Sequence, residues 1–346
     1  MRRLVTTTQL RKPAVIVVAV DEVYDERGRL RQPAADDRDF LRAMDKISSG
    51  LKPRTLATYR PYIGAYWQLC SVRQCELPDA GLFRGFLLAV ARHASGKPAR
   101  STITVVGSAI HCLVSGLHLE SQVASQETKR WISEQFRIRA SHTPKRAEPL
   151  LSEDMARLVD GLELDIGQGH TRALRALRDR ALILLGWTCA LRRSEIVAVK
   201  PQHVQRRRKD HWALVIPDSK TSHGEDQVVP IIRAQETRYD AVAAIDAWIK
   251  AASIGADEFL FRKIGVDGSL RATGLTPAAV RDILRQRGVP EGYSPHSLRA
   301  GFVTQARLNG EPNHKIRRIS RHQSDRMVDI YDRPGDRDTS IPSSLM

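Results

Sequence analysis

The sequence predicts a mainly α protein in two parts: a helical bundle, then an α-rich domain holding a small antiparallel β-sheet. Three observations predict it. Apolar residues recur at helical spacing through 36–140. A polar stretch with two prolines, Ser141-His-Thr-Pro-Lys-Arg-Ala-Glu-Pro149, breaks that pattern. Beyond it, long helical segments flank two runs, 212–216 and 227–231, with the composition of strands. A chain of 346 residues, 42% of them hydrophobic, suits about two domains with a sizeable core.

Taken in order, residues 1–35 lack a sustained helical period and read as an N-terminal arm. Met1-Arg2-Arg3 ahead of the apolar stretch 14–20 resembles a signal peptide only faintly. The stretch is short and acidic Asp21 and Glu22 follow it directly, so an irregular arm or a short strand is expected there. The bundle takes 36–140. Its helices are expected over 36–48, 55–72, 82–94, 101–115 and 127–140. The second carries Leu56, Tyr59, Ile63, Tyr66 and Trp67 at helical spacing. Residues 141–149 form the linker, and the second domain takes 150–346. Ser152 reads as an N-cap with Glu153 and Asp154 in the first turn behind it. Another helix covers 171–190. The two strands join through the polar turn 218–224, with a third short strand near 203–207. Helices resume at 234–252, 277–287, 296–308, 311–320 and 325–331. No internal repeat is evident.

The charge balance narrows the function classes. The formal net charge is +16, from 55 Lys and Arg against 39 Asp and Glu. An excess spread along the whole chain points to a nucleic-acid partner. Arginine outnumbers lysine, and its planar guanidinium can hold two phosphate oxygens at once. The cysteines, at 70, 75, 112 and 189, show neither a CxxC nor zinc spacing with histidine. They read as small buried hydrophobes of a reducing compartment. The longest apolar run, 181–191, is interrupted by Gly186 and Thr188 and is too short for a bilayer. No membrane partner is expected, and the location expected is cytoplasmic.

Two separated motifs carry the chemistry. Upstream stands Ala190-Leu191-Arg192-Arg193-Ser194-Glu195-Ile196. Downstream stand His296-Ser297-Leu298-Arg299, then His322, then Tyr331. Arg192 and Glu195 are spaced to share one helical face, as are His296 and Arg299, with Pro295 orienting the second pair. Singly, each residue has a plain structural reading: a solvated ion pair, a helix cap, a half-buried core tyrosine. Together, two arginines, two histidines and a tyrosine suggest a site that grips one phosphodiester and attacks it.

In these motifs the sequence resembles the tyrosine recombinases, the phage integrase family. Ala-Leu-Arg-x-Ser-Glu-Ile is similar to the family's first arginine motif, and His-Ser-Leu-Arg-Ala-Gly-Phe to its His-x-x-Arg motif. His322 and Tyr331 match its second histidine and its nucleophile. Ser219-Lys220-Thr221, in the expected hairpin, is similar to its catalytic lysine loop. The specific likeness covers about 150–340. A looser one, opening with Thr55, Leu56 and Tyr59, extends over about 36–140 as a core-binding domain. Two positions depart from the family's commonest pattern. Ala190 and Arg321 stand where glycine is frequent, and Arg321 offers a further phosphate contact.

The resemblance implies a two-domain clamp closing around duplex DNA. Its catalytic residues would be Arg192, Lys220, His296, Arg299, His322 and Tyr331, with Glu195 orienting the arginine and histidine side chains. Lys97, Arg100, Lys145, Arg146, Arg206, Arg207, Arg208 and Lys209 are candidate phosphate contacts. The partners implied are double-stranded DNA and further copies of the chain, as a tetramer exchanging strands through a Holliday junction. No cofactor and no metal are expected. A type IB topoisomerase-like transesterase, a non-catalytic DNA-binding regulator of the same fold, and a basic RNA-binding protein remain as alternatives at this point.

Overall fold

In the computed structural model, the residues described are 15–75, 77, 79–93, 100–119, 125–139, 147–209, 211–217 and 226–331. The chain divides into two compact units, Met1–Lys145 and Arg146–Met346.

The first unit is built from helices α1 (Val20–Val23), α2 (Arg38–Ser48), α3 (Pro53–Val72), α4 (Ala80–His93), α5 (Arg100–Gly116) and α6 (Gln126–Arg139). Capping explains where α2 begins: the Asp37 carboxylate accepts from Asp39 N (3.1 Å) and Phe40 N (2.9 Å). Pro53 occupies the first helical position of α3, where its missing N–H costs nothing. The core gathers Phe40, Met44, Ile63, Tyr66, Phe83, Phe86, Ile110 and Leu113.

Residues 15–35 depart from the expected arm. Val18 and Val23 are buried in the same core, with Ile16, Tyr24 and Leu30 packed against it. The glycines of α4 make this possible. Ile16 N donates to Gly81 O at 3.2 Å, and a Cβ on Gly85 would stand 2.0 Å from Ile16 O. A backbone can run that close to a helix only where no side chain intervenes.

The second unit starts with α7 (Ser152–Ile166) and α8 (His170–Thr188), which run into α9 (Arg193–Ala198). Strands β1 (Val204–Arg208), β2 (His211–Ile216) and β3 (Gln227–Ile231) form an antiparallel sheet in that order. Leu214 lies between Val204 and Val229 in register, and Leu214, Ile216, Val229 and Ile231 send alternate side chains into the core. Helix α10 (Ala241–Ala252), the hairpin β4 (Arg262–Ile264) and β5 (Leu270–Gly274), and helices α11 (Pro277–Gln286), α12 (His296–Leu308), α13 (Asn313–Ser320) and α14 (Asp325–Asp329) complete it. Helix α8 is its buried axis, with Ala181, Leu182, Ile183 and Leu185 inaccessible to solvent.

Several boundaries move for identifiable reasons. The helix expected from 234 starts at Ala241, because the Asp240 carboxylate caps it (2.8 Å from Ala243 N) and also holds Ala234 N and Arg233. Ser152 is the first helical residue rather than the cap. Its Oγ binds Gln305 at 2.9 Å, while Asp154 accepts from Leu151 N. The β4–β5 hairpin was not expected, since a three-residue strand with two basic residues carries no period. The polar turn 218–224 lies outside the described residues, as do 1–14 and 332–346. Among the described residues, no helix is long and apolar enough to cross a membrane.

Candidate active site

Four segments of the second unit converge. Helix α8 ends at Thr188, and Ala190 turns the chain with φ +47°. Arg192 follows as the N-cap of α9, and Glu195 sits at its third position. The two therefore do not lie one above the other on a helix, as their spacing suggested. Instead the Glu195 carboxylate folds back on the helix start. It accepts from Arg192 N at 2.8 Å and binds Arg192 Nη1 at 2.7 Å. A carboxylate on the free N–H groups of a helix start is electrostatically favoured.

Helix α12 brings the second pair. His296 is its first residue, and Arg299 lies one turn on, only 1% exposed. Arg299 Nη1 donates to Ala190 O at 2.8 Å, joining the two arginine segments. Gly301 lets α12 press onto the chain entering α7, since a Cβ there would lie 1.9 Å from Leu150 O. Leu150 N donates to Ser297 O in the same contact.

The third and fourth segments carry His322 and Tyr331. Arg321 ends α13 with φ +60°, and buried His322 follows. Arg317 holds the turn by donating to His322 O (3.1 Å) and Gln323 O (2.9 Å). Just beyond α14, Tyr331 puts Oη 3.0 Å from His296 Nε2, and its ring centroid lies 5.5 Å from that of His322. Thus Arg192, Glu195, His296, Arg299, His322 and Tyr331 form one cluster.

Arg321 corrects one expectation. Its side chain is 6% exposed and turns inward, giving Nη2 to Glu195 Oε2 at 2.8 Å and to Ala190 O at 3.4 Å. It braces the site rather than offering a phosphate contact. Its φ, and that of Ala190, lie in the left-handed region that glycine occupies freely and other residues occupy at a cost. The two departures from the commonest motif therefore share one backbone cause.

The site is electrically lopsided. Three guanidinium groups surround one carboxylate. Burial alone would push the Glu195 carboxyl up, but Arg321 and the donors of Arg192 outweigh it and hold it below the usual range. Burial, then the charges of Arg192 and Arg321, bring Arg299 down to about 10. Desolvation, then Arg299 and Arg192, lower His296. Burial and the surrounding cations push His322 down to about 3, so it is neutral near pH 7. The arrangement can do two things chemically: surround an anion with donors, and take a proton from a phenol. Among the described residues, no group of three His, Cys, Asp or Glu is placed to hold a metal ion.

Comparison with known proteins fits this geometry. The family model described as the phage integrase family matches residues 151–337, more than half the chain. The chain belongs to the phage integrase family. A curated family relative, an integrase/recombinase xerD homolog of Selenomonas ruminantium, is 32% identical over 198 residues, which is 53% of each chain. The chain thus spans about half the length of the curated relative it matches. Two solved structures share the fold. One is the XerH site-specific recombinase bound to difH substrate (TM-score 0.51, 15% identity, covering 80% of this chain and 76% of that one). The other is the Tn1549 transposon integrase in complex with a circular intermediate DNA (TM-score 0.52, 14% identity, 84% and 94%).

The remaining candidates of this family member are placed as follows. Lys220, Lys97, Lys145 and Arg146 lie outside the described residues. Arg100 begins α5, and its side chain is outside them too. Arg206, Arg207, Arg208 and Lys209 are exposed along β1 and the turn after it, at the edge of the sheet. Sequence reasoning missed Ser320 and Arg317. Both touch the His322 segment, and neither stands in a motif position that could have flagged it.

Proposed function

We propose that this chain is a site-specific DNA recombinase that cuts and rejoins DNA through a covalent tyrosine intermediate. The observation that carries the reading is the approach of Tyr331 Oη to His296 Nε2, 3.0 Å, beside the buried Arg299. A phenol in contact with a neutral imidazole is a nucleophile with its base in place.

In this reading Tyr331 Oη attacks a backbone phosphorus while His296 takes the phenol proton. The bond from phosphorus to the 5′-oxygen breaks, and Lys220 gives that oxygen a proton. The products are a 3′-phosphotyrosyl link and a free 5′-hydroxyl. Because a phenol is also a fair leaving group, the bond energy is kept and the reverse step reseals the strand. Arg192 and Arg299 hold the non-bridging oxygens, where charge grows in the transition state. Loss of one such preorganised donor costs roughly a hundredfold to a thousandfold in rate. His322 donates to the same phosphate, and Glu195 fixes Arg192. Residues 36–140 serve as the core-binding domain, 150–346 as the catalytic domain, and four copies exchange strands through a Holliday junction.

The test is covalent trapping. The protein is expressed in its host, cells are denatured rapidly, and protein-linked DNA is sequenced beside a Tyr331→Phe control. DNA linked only in the wild type, and concentrated at a few inverted-repeat sites, is the expected result. Adducts scattered without preference would instead indicate a topoisomerase-like enzyme. No adduct from a protein that still binds DNA would overturn the enzymatic reading.

A further inference from the structure

Ser320 is the last residue of α13 and is fully buried. Its Oγ lies 2.8 Å from His322 Nδ1. Among the described residues, that nitrogen is the hydroxyl's one hydrogen-bond partner. A serine late in a helix commonly turns its hydroxyl back to a carbonyl of the preceding turn, and this one does not.

We propose that Ser320 sets the tautomer of His322, donating its hydroxyl proton to Nδ1 and so placing the ring's single proton on Nε2. The argument is one of hydrogen-bond supply. A neutral imidazole carries one N–H and one bare nitrogen. If the proton sat on Nδ1, that N–H would donate to Ser320 Oγ, and the serine proton would be buried with no acceptor. An orphaned buried donor costs roughly 1–3 kcal/mol, and native structures avoid it. With the proton on Nε2, both groups are satisfied. Burial and the neighbouring cations keep the ring neutral, so this choice persists across the physiological range. Arg317, bonded to the carbonyls of His322 and Gln323, holds the backbone from which the ring projects.

The consequence rests on the recombinase reading. A His322 protonated on Nε2 is a donor to a phosphate oxygen, whereas one protonated on Nδ1 offers phosphate only a lone pair. The two histidines would then hold opposite tautomers. His296 needs a bare Nε2 to receive the proton of Tyr331. Ser320 is thus a positioning residue that acts through His322.

The test uses the full chain labelled with nitrogen-15 at histidine and a long-range proton–nitrogen correlation spectrum. Resonances of His322 are assigned by their loss in His322→Gln. The expected wild-type pattern is a pyrrole-type Nε2 and a pyridine-type Nδ1. In Ser320→Ala the two nitrogens move toward averaged values, and Ser320→Thr, which keeps the hydroxyl, retains the wild-type pattern. A pyrrole-type Nδ1 in the wild type, or unchanged shifts in Ser320→Ala, overturns the assignment. A parallel readout is the yield of protein-linked DNA from host cells. It falls on the order of tenfold in Ser320→Ala, part of the ~hundredfold or more that outright loss of such a donor costs. If the tautomers behave as stated but the wild type forms no adduct, the recombinase reading fails and the role of Ser320 stands.

Discussion

At the scale of single residues, the site is organised around charge that needs an anion. Glu195 is shared: one oxygen binds Arg192 Nη1, the other Arg321 Nη2 and the Arg192 backbone. Arg321 has an internal conflict. Its backbone sits at φ +60°, which glycine would relieve, yet its side chain holds a buried ion pair. Relief of a left-handed residue is worth about 1–2 kcal/mol, while unpairing a buried ion pair costs about 3–5 kcal/mol. Arg321→Gly should therefore lose stability, by about 1–3 kcal/mol, because Arg192 still neutralises part of Glu195. Equal or greater stability in urea unfolding would show that the strain dominates.

His322 makes a pH prediction at the same scale. Its folded pKa, about 3, lies below the ordinary 6.5. As pH falls through 6.5, the unfolded chain takes up a proton that the folded chain refuses. Stability is therefore complete above that range and declines with acidity down to about pH 3, by at most about 1.4 kcal/mol per pH unit. The lowered His296 adds in the same direction. Urea unfolding at about pH 7.5 and about pH 5 should show a smaller loss in His322→Gln than in the wild type. Equal losses would mean that His322 is as easily protonated folded as unfolded.

At the scale of elements, glycines decide how closely the helices approach. In α12, Gly301 faces the backbone of Leu150, with a prospective Cβ 1.9 Å from the carbonyl oxygen and 2.7 Å from its carbon. A backbone cannot yield as a flexible side chain can, so Gly301→Ala should destabilise by about 1–3 kcal/mol or more. It should also displace the helix that carries His296 and Arg299. In α7, Gly161 has nothing within 4 Å of its prospective Cβ. Gly161→Ala should stabilise by about 0.5–1 kcal/mol through helix propensity alone. Thermal melts of the two variants should move in opposite directions, and a common direction would contradict the packing described. The 2.8 Å cap by Asp240 shows the reverse influence, a side chain fixing at Ala241 the start of a helix that propensity would have begun seven residues earlier.

At the scale of the whole molecule, the formal charge of +16 and the exposed run Arg206–Lys209 are what the proposed DNA partner would meet. Binding to a random-sequence duplex should weaken steeply with salt, the logarithmic slope being about −0.9 for each phosphate neutralised. Replacing Arg206, Arg207, Arg208 and Lys209 by glutamine should flatten that slope while leaving the fold intact, because none of the four is buried. An unchanged slope would place the phosphate contacts elsewhere.

The sequence by itself determined the helical character of both parts and the β2–β3 pairing, and it named Arg192, Glu195, His296, Arg299, His322 and Tyr331, which the fold brings together. Those features rest on local period and on side-chain identity, and both are written in the order of residues. Only the tertiary structure decided how Arg192 and Glu195 meet, because a helix start depends on where α8 ends. It alone turned Arg321 from an expected phosphate contact into an internal brace, since burial depends on partners 126 residues away in the chain. It alone packed 15–35 onto Gly81 and Gly85, and placed Ser320 against His322. Close approach and hydrogen-bond supply are properties of the folded surroundings, and no local pattern records them.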